Sequence, residues 1–178
     1  MSSQMRRVSI ITSASGNGGT TVGRELARRL GVPFVELDAL NHGPGWVEAT
    51  PEELRAKVAP IVATDSWVVD GSYRGKLGDL VLARTDVVVW LDQPMRVWLP
   101  RLLRRTFGRI VRKEELWSGN RETLRGAFVG RDALFPWALR HYRRRRRVYP
   151  ELLGRFNLVR LRTPAEVERF LAAAGDPK

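Results

Sequence analysis

Residues 13–21 combine glycines with small polar side chains in an order that could bind phosphate. The segment consists of Ser13, Ala14, Ser15, Gly16, Asn17, Gly18, Gly19, Thr20 and Thr21. Glycines let successive backbone N–H groups point inward at phosphate oxygens, and a helix that starts behind them adds partial positive charge. A β-branched run at 7–12 precedes the segment and an amphipathic run at 20–30 follows it. We therefore predict a phosphate-binding loop between a strand and a helix.

Gly19 departs from the residue that such a loop normally carries at this position. In the pattern G-x-x-x-x-G-K-[ST], Gly18 matches the second glycine and Thr20 the hydroxyl residue. Ser13 replaces the first glycine, and Gly19 replaces the lysine that carries positive charge to the β- and γ-phosphates. The segment is therefore either a phosphate loop whose catalytic power is in doubt or a glycine-rich turn.

Three aspartates follow short apolar runs. Asp38, Asp70 and Asp92 each end such a run, and we expect these runs to be strands. Ligands of open α/β sheets bind at the carboxyl ends of the strands, so three aspartates there favour a site beside the loop. The alternative for each one alone is a helix cap or a turn.

Positive charge is concentrated in one part of the chain. The net charge is +12, and residues 93–162 hold 19 of the 31 lysines and arginines but only 5 of the 19 acidic residues. This region therefore carries +14 and the remainder −2. An anionic partner is expected to meet the basic region, and either the phosphates of a nucleotide or a nucleic acid would fit.

The densest positive charge is a run of five arginines at 143–147. Consecutive helical residues differ by about 100°, so five of them cover the whole circumference of a helix. At least one arginine should therefore face the protein or a cleft, where a carboxylate or a bound phosphate offsets the cost of burial. A solvated basic helix and a nucleic-acid face with Tyr142 and Tyr149 as stacking residues are the alternatives.

Composition limits the class of protein. The 178 residues suit one domain, and 43% hydrophobic and 28% charged residues are ordinary for a globular protein. The chain has no cysteine, which excludes disulfides and thiolate metal sites, and its two histidines make an imidazole metal site unexpected. The apolar run at 8–11 is too short for a signal or membrane-spanning segment, so we expect a cytoplasmic protein.

Strand and helix patterns alternate along the chain. Strands are predicted at 7–12, 33–37, 66–69, 86–91 and 156–161, and helices at 20–30, 51–63, 73–83, 94–107, 131–149 and 164–174. Thr50 and Thr163 are expected N-caps, and Glu53 completes a capping box with Thr50. The alternation predicts an α/β fold of three layers, with a five-stranded parallel sheet covered by helices on both faces. Residues 108–130 are weakly patterned and are predicted to form a lid within a single domain, 1–178.

Six segments in this order resemble bacterial P-loop proteins related to adenylate kinase, sometimes labelled topology modulation proteins. They are LDALNHGPGW, WVVDGSYR, VVVWLDQP, LLRRTFGR, ELWSGNRE and ALRHYRRRRR. The resemblance covers nearly the whole chain. It implies a fold of the nucleoside-monophosphate-kinase type with a helical lid, ATP and Mg²⁺ as cofactors, and a nucleotide and a small-molecule phosphate acceptor as partners.

The resemblance also implies roles for particular residues. Thr20 would ligate Mg²⁺ and Asp70 would hold the metal through water. Asp38 would lie in the acceptor pocket and orient or deprotonate the nucleophile, and Arg74 would contact a phosphate of the acceptor. The implied lid arginines, which stabilise charge during transfer, are Arg104, Arg105, Arg121 and the run at 143–147, of which Arg143 and Arg144 are expected to bind the nucleotide.

Three hypotheses for the function follow. The leading one is an ATP-dependent kinase acting on a nucleotide or another small molecule, which works by positioning and charge neutralisation. The second is a regulatory or degenerate nucleotide-binding protein, because Gly19 replaces the lysine. The third is nucleic-acid binding through the arginine-rich half. His42 and His141 are not expected to be catalytic, because neither has a recognisable partner nearby in sequence.

Overall fold

A computed structural model describes residues 5–130 and 133–174. Within these ranges five parallel strands form one sheet in the order β2-β3-β1-β4-β5. The strands are β1 (Arg7–Thr12), β2 (Phe34–Glu36), β3 (Trp67–Asp70), β4 (Val87–Leu91) and β5 (Leu158–Leu161). The predicted five-stranded parallel α/β sheet is therefore confirmed.

Eight α-helices connect or follow the strands in the described part of the chain. They are α1 (Gly19–Leu30), α2 (Leu37–Asn41), α3 (Pro51–Val62), α4 (Arg74–Leu77), α5 (Met95–Arg112), α6 (Leu124–Phe128), α7 (Leu134–Leu153) and α8 (Pro164–Ala173). The expected N-caps are confirmed, since Thr50 and Thr163 accept hydrogen bonds from Glu53 N and Glu166 N. None of the described helices has both the length and the apolar character needed to cross a membrane.

Both faces of the sheet are buried under helices. All five residues of β4 are buried, which explains why the strand reads as a continuous apolar run. On one face α1 and α8 pack on Ile10 and Val89. On the other face Leu153 of α7 packs on Ile11 and Trp90, and α3 covers β3.

Two predicted elements end earlier than expected. The strand predicted at 33–37 ends at Glu36, and Leu37 begins α2, so Asp38 lies in the first turn of a helix on the edge strand's side of the sheet. The helix predicted at 73–83 is wrong beyond Leu77. Gly78 has φ 60° and ψ −132°, outside the helical region, and its N–H caps α4. A short 3₁₀ turn at Leu82–Arg84 follows.

The two long helices of the basic region extend further than predicted. α5 ends at Arg112 rather than at 107, where Lys113 turns into the left-handed region at φ 50°. α7 continues to Leu153 rather than to 149 and includes Pro150, while its predicted start at Arg131 lies outside the described residues. Between the helices, residues 115–121 form a loop closed by a bridge between Glu115 and Arg121.

Two glycines in helices give a test of this packing. A Cβ atom at Gly23 of α1 would lie 2.5 Å from Cε2 of Phe34, whereas a Cβ atom at Gly75 of α4 would meet nothing within 4 Å. We expect Gly23→Ala to lower the free energy of unfolding by about 1–3 kcal/mol through overpacking. Gly75→Ala should raise it by up to about 1 kcal/mol, since alanine loses less backbone entropy. Urea unfolding measures both, and equal effects would contradict the packing of Phe34 on α1.

Candidate phosphate and acceptor site

The glycine loop is fixed to the end of β4. Ser13 N and Asn17 Nδ2 both donate hydrogen bonds to Leu91 O, at 3.1 and 3.3 Å. Gly16 and Gly18 have φ values of 88° and 86°, in the left-handed region that favours glycine. The loop leads directly into the 12-residue helix α1. Its backbone therefore stands at a helix N-terminus, as a phosphate site requires.

Helix α5 lies against the loop. A Cβ atom at Gly16 would lie 2.8 Å from Trp98 O and 3.0 Å from Leu102 Cβ, so only glycine fits there. Trp98 and Leu102 are fully buried. Residues three and four apart share a helix face, so Arg105 lies one turn beyond this contact on the same side of α5.

Gly19 faces the carboxyl group of Asp70. A Cβ atom at Gly19 would lie only 2.5 Å from Asp70 Oδ1 and 2.9 Å from Thr12 Cγ2. The backbone of Gly19 is helical and not left-handed. The obstacle to a lysine here is therefore the position of Asp70 and not the conformation of the backbone.

Thr20 lies between two carboxyl groups. Its Oγ1 is 2.8 Å from Glu36 Oε1 and 2.9 Å from Asp70 Oδ2, and Glu36 and Asp70 are register neighbours in the sheet. A hydroxyl group has one hydrogen to donate, so one of the two carboxyl groups must bring its own proton to the contact. Arg24 Nη2 lies 3.6 Å from Glu36 Oε2, whereas Asp70 forms no ion pair with any described residue. We therefore assign the proton to Asp70.

The electrostatics of Asp70 agree with this assignment. Burial raises the pKa of Asp70 to about 7 against an opposing effect of the Thr20 hydrogen bond, and the nearby Asp38 and Glu36 carboxylates raise it further. A bound divalent cation would favour the ionised form instead. The protonation of Asp70 is therefore expected to respond to cations.

Asp38 is held by a tyrosine. Tyr73 Oη donates to Asp38 Oδ1 at 2.6 Å and lies 3.3 Å from His42 Nε2. Burial, followed by the charge of Asp38, raises the pKa of Tyr73 above its usual value, so the phenol keeps its proton. Tyr73 reaches this position from a left-handed backbone conformation at φ 38°. No described residue donates to Asp38 Oδ2, which leaves that oxygen free to accept a proton.

The structure does not bring Arg74 to Asp38. Its guanidinium binds Asp79 Oδ1 at 2.7 and 3.1 Å, and Arg155 binds the other oxygen of Asp79. Arg74 also lines a surface hollow of about 380 Å³ with residues of α7, including Val148 and Leu152. The side chains of Tyr73 and Arg74 therefore point in different directions, and of the two only the tyrosine side chain contacts Asp38.

Asp92 belongs to a buried network at the start of the loop. Its side chain is inaccessible to solvent and forms ion pairs with Arg146 at 3.0 Å and with Arg160 at 2.5 Å. Ser13 Oγ donates to Asp92 Oδ1 at 2.7 Å and accepts from Trp90 Nε1 at 2.9 Å. Asp92 therefore fixes the loop to α7 and β5.

The inward members of the arginine run are Arg145 and Arg146. Arg146 binds Asp92, and Arg145 Nη1 donates to Thr12 O at 3.4 Å with its guanidinium over the Trp137 ring. At least one member of the run was expected to face inward, and two do. Arg143 and Arg144, predicted to bind phosphate, lie on the exposed side of α7, where their role stays a prediction.

The three predicted arginines between 104 and 121 have different environments. Arg121 is exposed and binds Glu115 at 2.5 Å, and Arg104 is exposed on α5. The side chain of Arg105 keeps part of its surface accessible to solvent. The protein packed around the rest of it lowers the pKa of its guanidinium, and the charge of Arg109 lowers it further. The carboxylates of Glu122, Asp38 and Glu36 act in the opposite direction. Because the charges of Asp38 and Glu36 act on Arg105, its guanidinium lies on the side of α5 towards the acidic strand ends. Within the described ranges Arg105 forms no hydrogen bond or ion pair.

Hydrogen bonds and ring contacts connect the loop at 42–48 with the loop at 115–121. Asn120, which is 5% exposed, donates from Nδ2 to Gly43 O at 2.9 Å and accepts from Trp46 N at 2.9 Å. The His42 ring stacks on Trp117 with centroids 5.7 Å apart, and Trp46 contacts both rings edge-on. The loop at 42–48 beside Asp38 is therefore bound to the loop at 115–121 of the predicted lid.

The sequence interpretation missed three residues of this site. Glu36 stands two residues before Asp38, and Arg160 interrupts an apolar strand, so a charged residue in a short strand was the available signal for both. Tyr73 carried no such signal, because its left-handed conformation follows from the turn after β3. His42, set aside for want of a partner, lies beside the Tyr73 hydroxyl.

No protein-family model matches the chain, and no curated protein sequence matches it. Solved structures do. They include a shikimate kinase from Acinetobacter baumannii in complex with shikimate, with a TM-score of 0.59, 16% identity, and coverage of 96% of this chain and 91% of that one. A gluconokinase from Sinorhizobium meliloti 1021 has a TM-score of 0.53, 19% identity, and coverage of 97% and 94%.

A third similar structure is deoxyadenosine kinase from M. mycoides with bound dATP, with a TM-score of 0.55, 12% identity, and coverage of 93% and 97%. At such low identities the likeness is one of fold. The chain therefore has the fold of the small P-loop kinases. The finer resemblance to adenylate-kinase-related topology modulation proteins stays a prediction.

The contrasting surroundings of Asp70 and Asp92 predict opposite effects of the same substitution. Unfolded Asp70 loses its proton near the usual pKa of 3.8, whereas folded Asp70 keeps it up to about pH 7. The unfolded state therefore binds fewer protons between these values, and the free energy of unfolding should fall as pH rises through this window. Asp70→Asn should remove that fall and be more stable than the unsubstituted chain at pH 8 without divalent cations.

Asp92→Asn should instead destabilise the protein at every pH from 5 to 8. The substitution leaves Arg146 and Arg160 without their buried carboxylate partner. Because both guanidiniums remain partly exposed to solvent, we expect a loss of up to roughly 3 kcal/mol in the free energy of unfolding. Urea unfolding across this pH range measures both variants. A stabilising Asp92→Asn, or an Asp70→Asn that leaves the pH profile unchanged, would contradict the two environments.

Proposed function

We propose that this chain is an ATP-dependent kinase that phosphorylates a hydroxyl group of a small molecule. The observation that carries the proposal is that Thr20 and Asp38 stand beside the same two strand ends, those of Glu36 and Asp70. Thr20 stands at the start of α1 behind the glycine loop, in contact with Asp70, and Asp38 keeps one oxygen free. A phosphate donor on the loop and an acceptor at Asp38 would then meet between them.

The loop would bind the triphosphate through its backbone N–H groups and the N-terminus of α1. The oxygen atoms of Thr20 and Asp70 suit Mg²⁺, which prefers hydroxyl and carboxylate ligands. In the described residues no three acidic, histidine or cysteine side chains gather closely enough to hold a metal by themselves, so phosphates and water would complete its coordination. When bound, Mg²⁺ supplies positive charge to the triphosphate.

Asp38 would act as the general base. Its free Oδ2 would take the proton of the acceptor hydroxyl as that oxygen forms a bond to the γ-phosphorus. The bond between the γ-phosphorus and its bridging oxygen breaks, and ADP leaves with the electron pair. Tyr73 would hold the carboxylate in position through its 2.6 Å hydrogen bond.

Arg105 would supply the positive charge that Gly19 lacks. Arg74 is not available for this role because it binds Asp79, and Lys76 Nζ already donates to Asn41, Glu48 and Ala49 within 2.8 Å. Arg105 lies on α5 one turn beyond Leu102, which packs against Gly16 of the loop, and the charges of Asp38 and Glu36 act on its guanidinium. A phosphate between Arg105 and the loop would offset the cost of its partial burial.

Nucleotide binding without transfer is the second candidate, and the absent lysine is the observation that favours it. Calorimetry with a non-hydrolysable ATP analogue and Mg²⁺ tests the binding shared by both candidates. We expect binding at millimolar or lower concentration, and its absence would remove both. ADP release in the presence of a pool of small hydroxyl compounds then separates them.

Asp38→Asn should lower the transfer rate by roughly 10²–10⁴-fold, because an amide cannot accept the proton. The affinity for the ATP analogue should stay unchanged, since Asp38 lies on the acceptor side. Asp65→Asn, which changes an exposed aspartate, is the matched control and should leave the rate unchanged. An Asp38→Asn protein with a normal rate would refute the assignment of the base.

Arg105→Ala should lower kcat by about 10²–10³-fold, the usual effect of removing one positioned donor to a developing charge. Arg96→Ala removes an exposed arginine from the same helix and is the control. Steady-state kinetics of both variants at saturating ATP measure the difference. Equal small losses would mean that Arg105 contributes only to the general positive field.

A further inference from the structure

The surroundings of Asp38 are aromatic on the side that faces the predicted lid. Tyr73 binds Asp38, His42 lies next to Tyr73, and Trp46 and Trp117 pack on His42. Trp46 is 40% exposed, so part of its indole surface is open to a ligand. The acceptor side of the site is therefore bounded by a wall of rings.

Positive charge near this wall is already neutralised. Lys76 Nζ lies 6.0 Å from the centroid of the Tyr73 ring and donates to three acceptors, one of them the Glu48 carboxylate at 2.6 Å. The Lys76 ammonium accordingly lowers the pKa of Glu48. Arg74 is bound to Asp79 and faces α7. Neither cation is free to bind an anion at Asp38.

Negative charge, in contrast, is concentrated at the same strand edge. The carboxylates of Glu36 and Asp38 stand two residues apart there, and Asp70, which flanks Thr20 together with Glu36, adds a third charge when it loses its proton. A phosphate group on the acceptor would add like charge to this cluster. Two arginines stand beside it: Arg24 is paired with Glu36 at 3.6 Å, and Arg105 is assigned to the donor in the proposed function.

We infer that the acceptor is an uncharged, hydroxyl-bearing ring compound without a phosphate group. A sugar and a nucleoside share this chemistry, since both offer hydroxyl groups to Asp38 and a flat face to an indole. The inference rests on the proposed function and narrows it, because it excludes the nucleotide acceptors that the leading hypothesis from the sequence also allowed. The proton of the acceptor hydroxyl passes to Asp38 as the new phosphate ester forms and ADP departs.

Matched pairs of acceptors test the inference. The pairs are nucleosides with their 5′-monophosphates and hexoses with their 6-phosphates, each assayed for transfer from radiolabelled ATP and for quenching of tryptophan fluorescence with the ATP analogue bound. At least one uncharged member should be bound and phosphorylated, with kcat/KM about tenfold or more above that of its phosphorylated partner. Preference for nucleosides over hexoses, or the reverse, identifies the source of the ring.

Two results would overturn the inference and leave the proposed function standing. One is preference for the phosphorylated member of a pair. The other is normal binding of the ATP analogue with no response to any uncharged member. Failure to bind the analogue at all would instead refute the proposed function.

The aromatic wall has its own test. Trp46→Ala should raise KM for the preferred acceptor about tenfold, with kcat and ADP affinity unchanged, and Trp46→Phe should restore most of the loss. Phe107→Ala removes another exposed aromatic ring, on α5, and is the control. Equal KM values for Trp46→Ala and Phe107→Ala would show that the ring does not contact the acceptor.

Discussion

The close approach of the Asp70 carboxyl group to the first turn of α1 determines the arrangement of the site. It is possible because β3 lies beside β1 in the sheet and because residue 19 has no side chain. Asp70 occupies the space through which a lysine at position 19 would leave the helix. The lost cation and the position of the carboxyl group are therefore two aspects of one structural feature, and a lysine could return only if Asp70 moved away from Thr20.

This feature changes how charge is distributed around the loop. In the usual pattern the loop carries its own cation, whereas here the loop side is acidic and the arginines stand on α5 and α7. Part of that positive charge is structural, because Asp92 binds Arg146 and Arg160 and so holds α7 against β4 and β5. The basic character of residues 93–162 therefore combines a framework role with the role proposed for Arg105.

Local signals in the sequence were enough to predict the sheet, the glycine loop and the caps of α3 and α8. Each depends on neighbouring residues, such as the β-branched run before Ser13 or the pairing of Thr50 with Glu53. The direction of a side chain after a sharp turn depends on backbone angles that the sequence pattern does not show. Arg74 therefore points to α7 while Tyr73, at φ 38°, points to Asp38. The ion pair between Asp92 and Arg160 was also missed, because no local pattern shows which residues distant in sequence meet in the fold.

The joint between the loops at 42–48 and 115–121 has a consequence for the order of events in a catalytic cycle. Asn120 and the stacked rings bind these loops to each other, so a displacement of one loop would carry the other with it. An acceptor that rests on Trp46 would then enter and leave only while the joined loops are displaced. A nucleotide bound as proposed on the glycine loop, which is tied to β4 instead, would be free of that constraint. The two substrates of the proposed kinase would then exchange independently of each other.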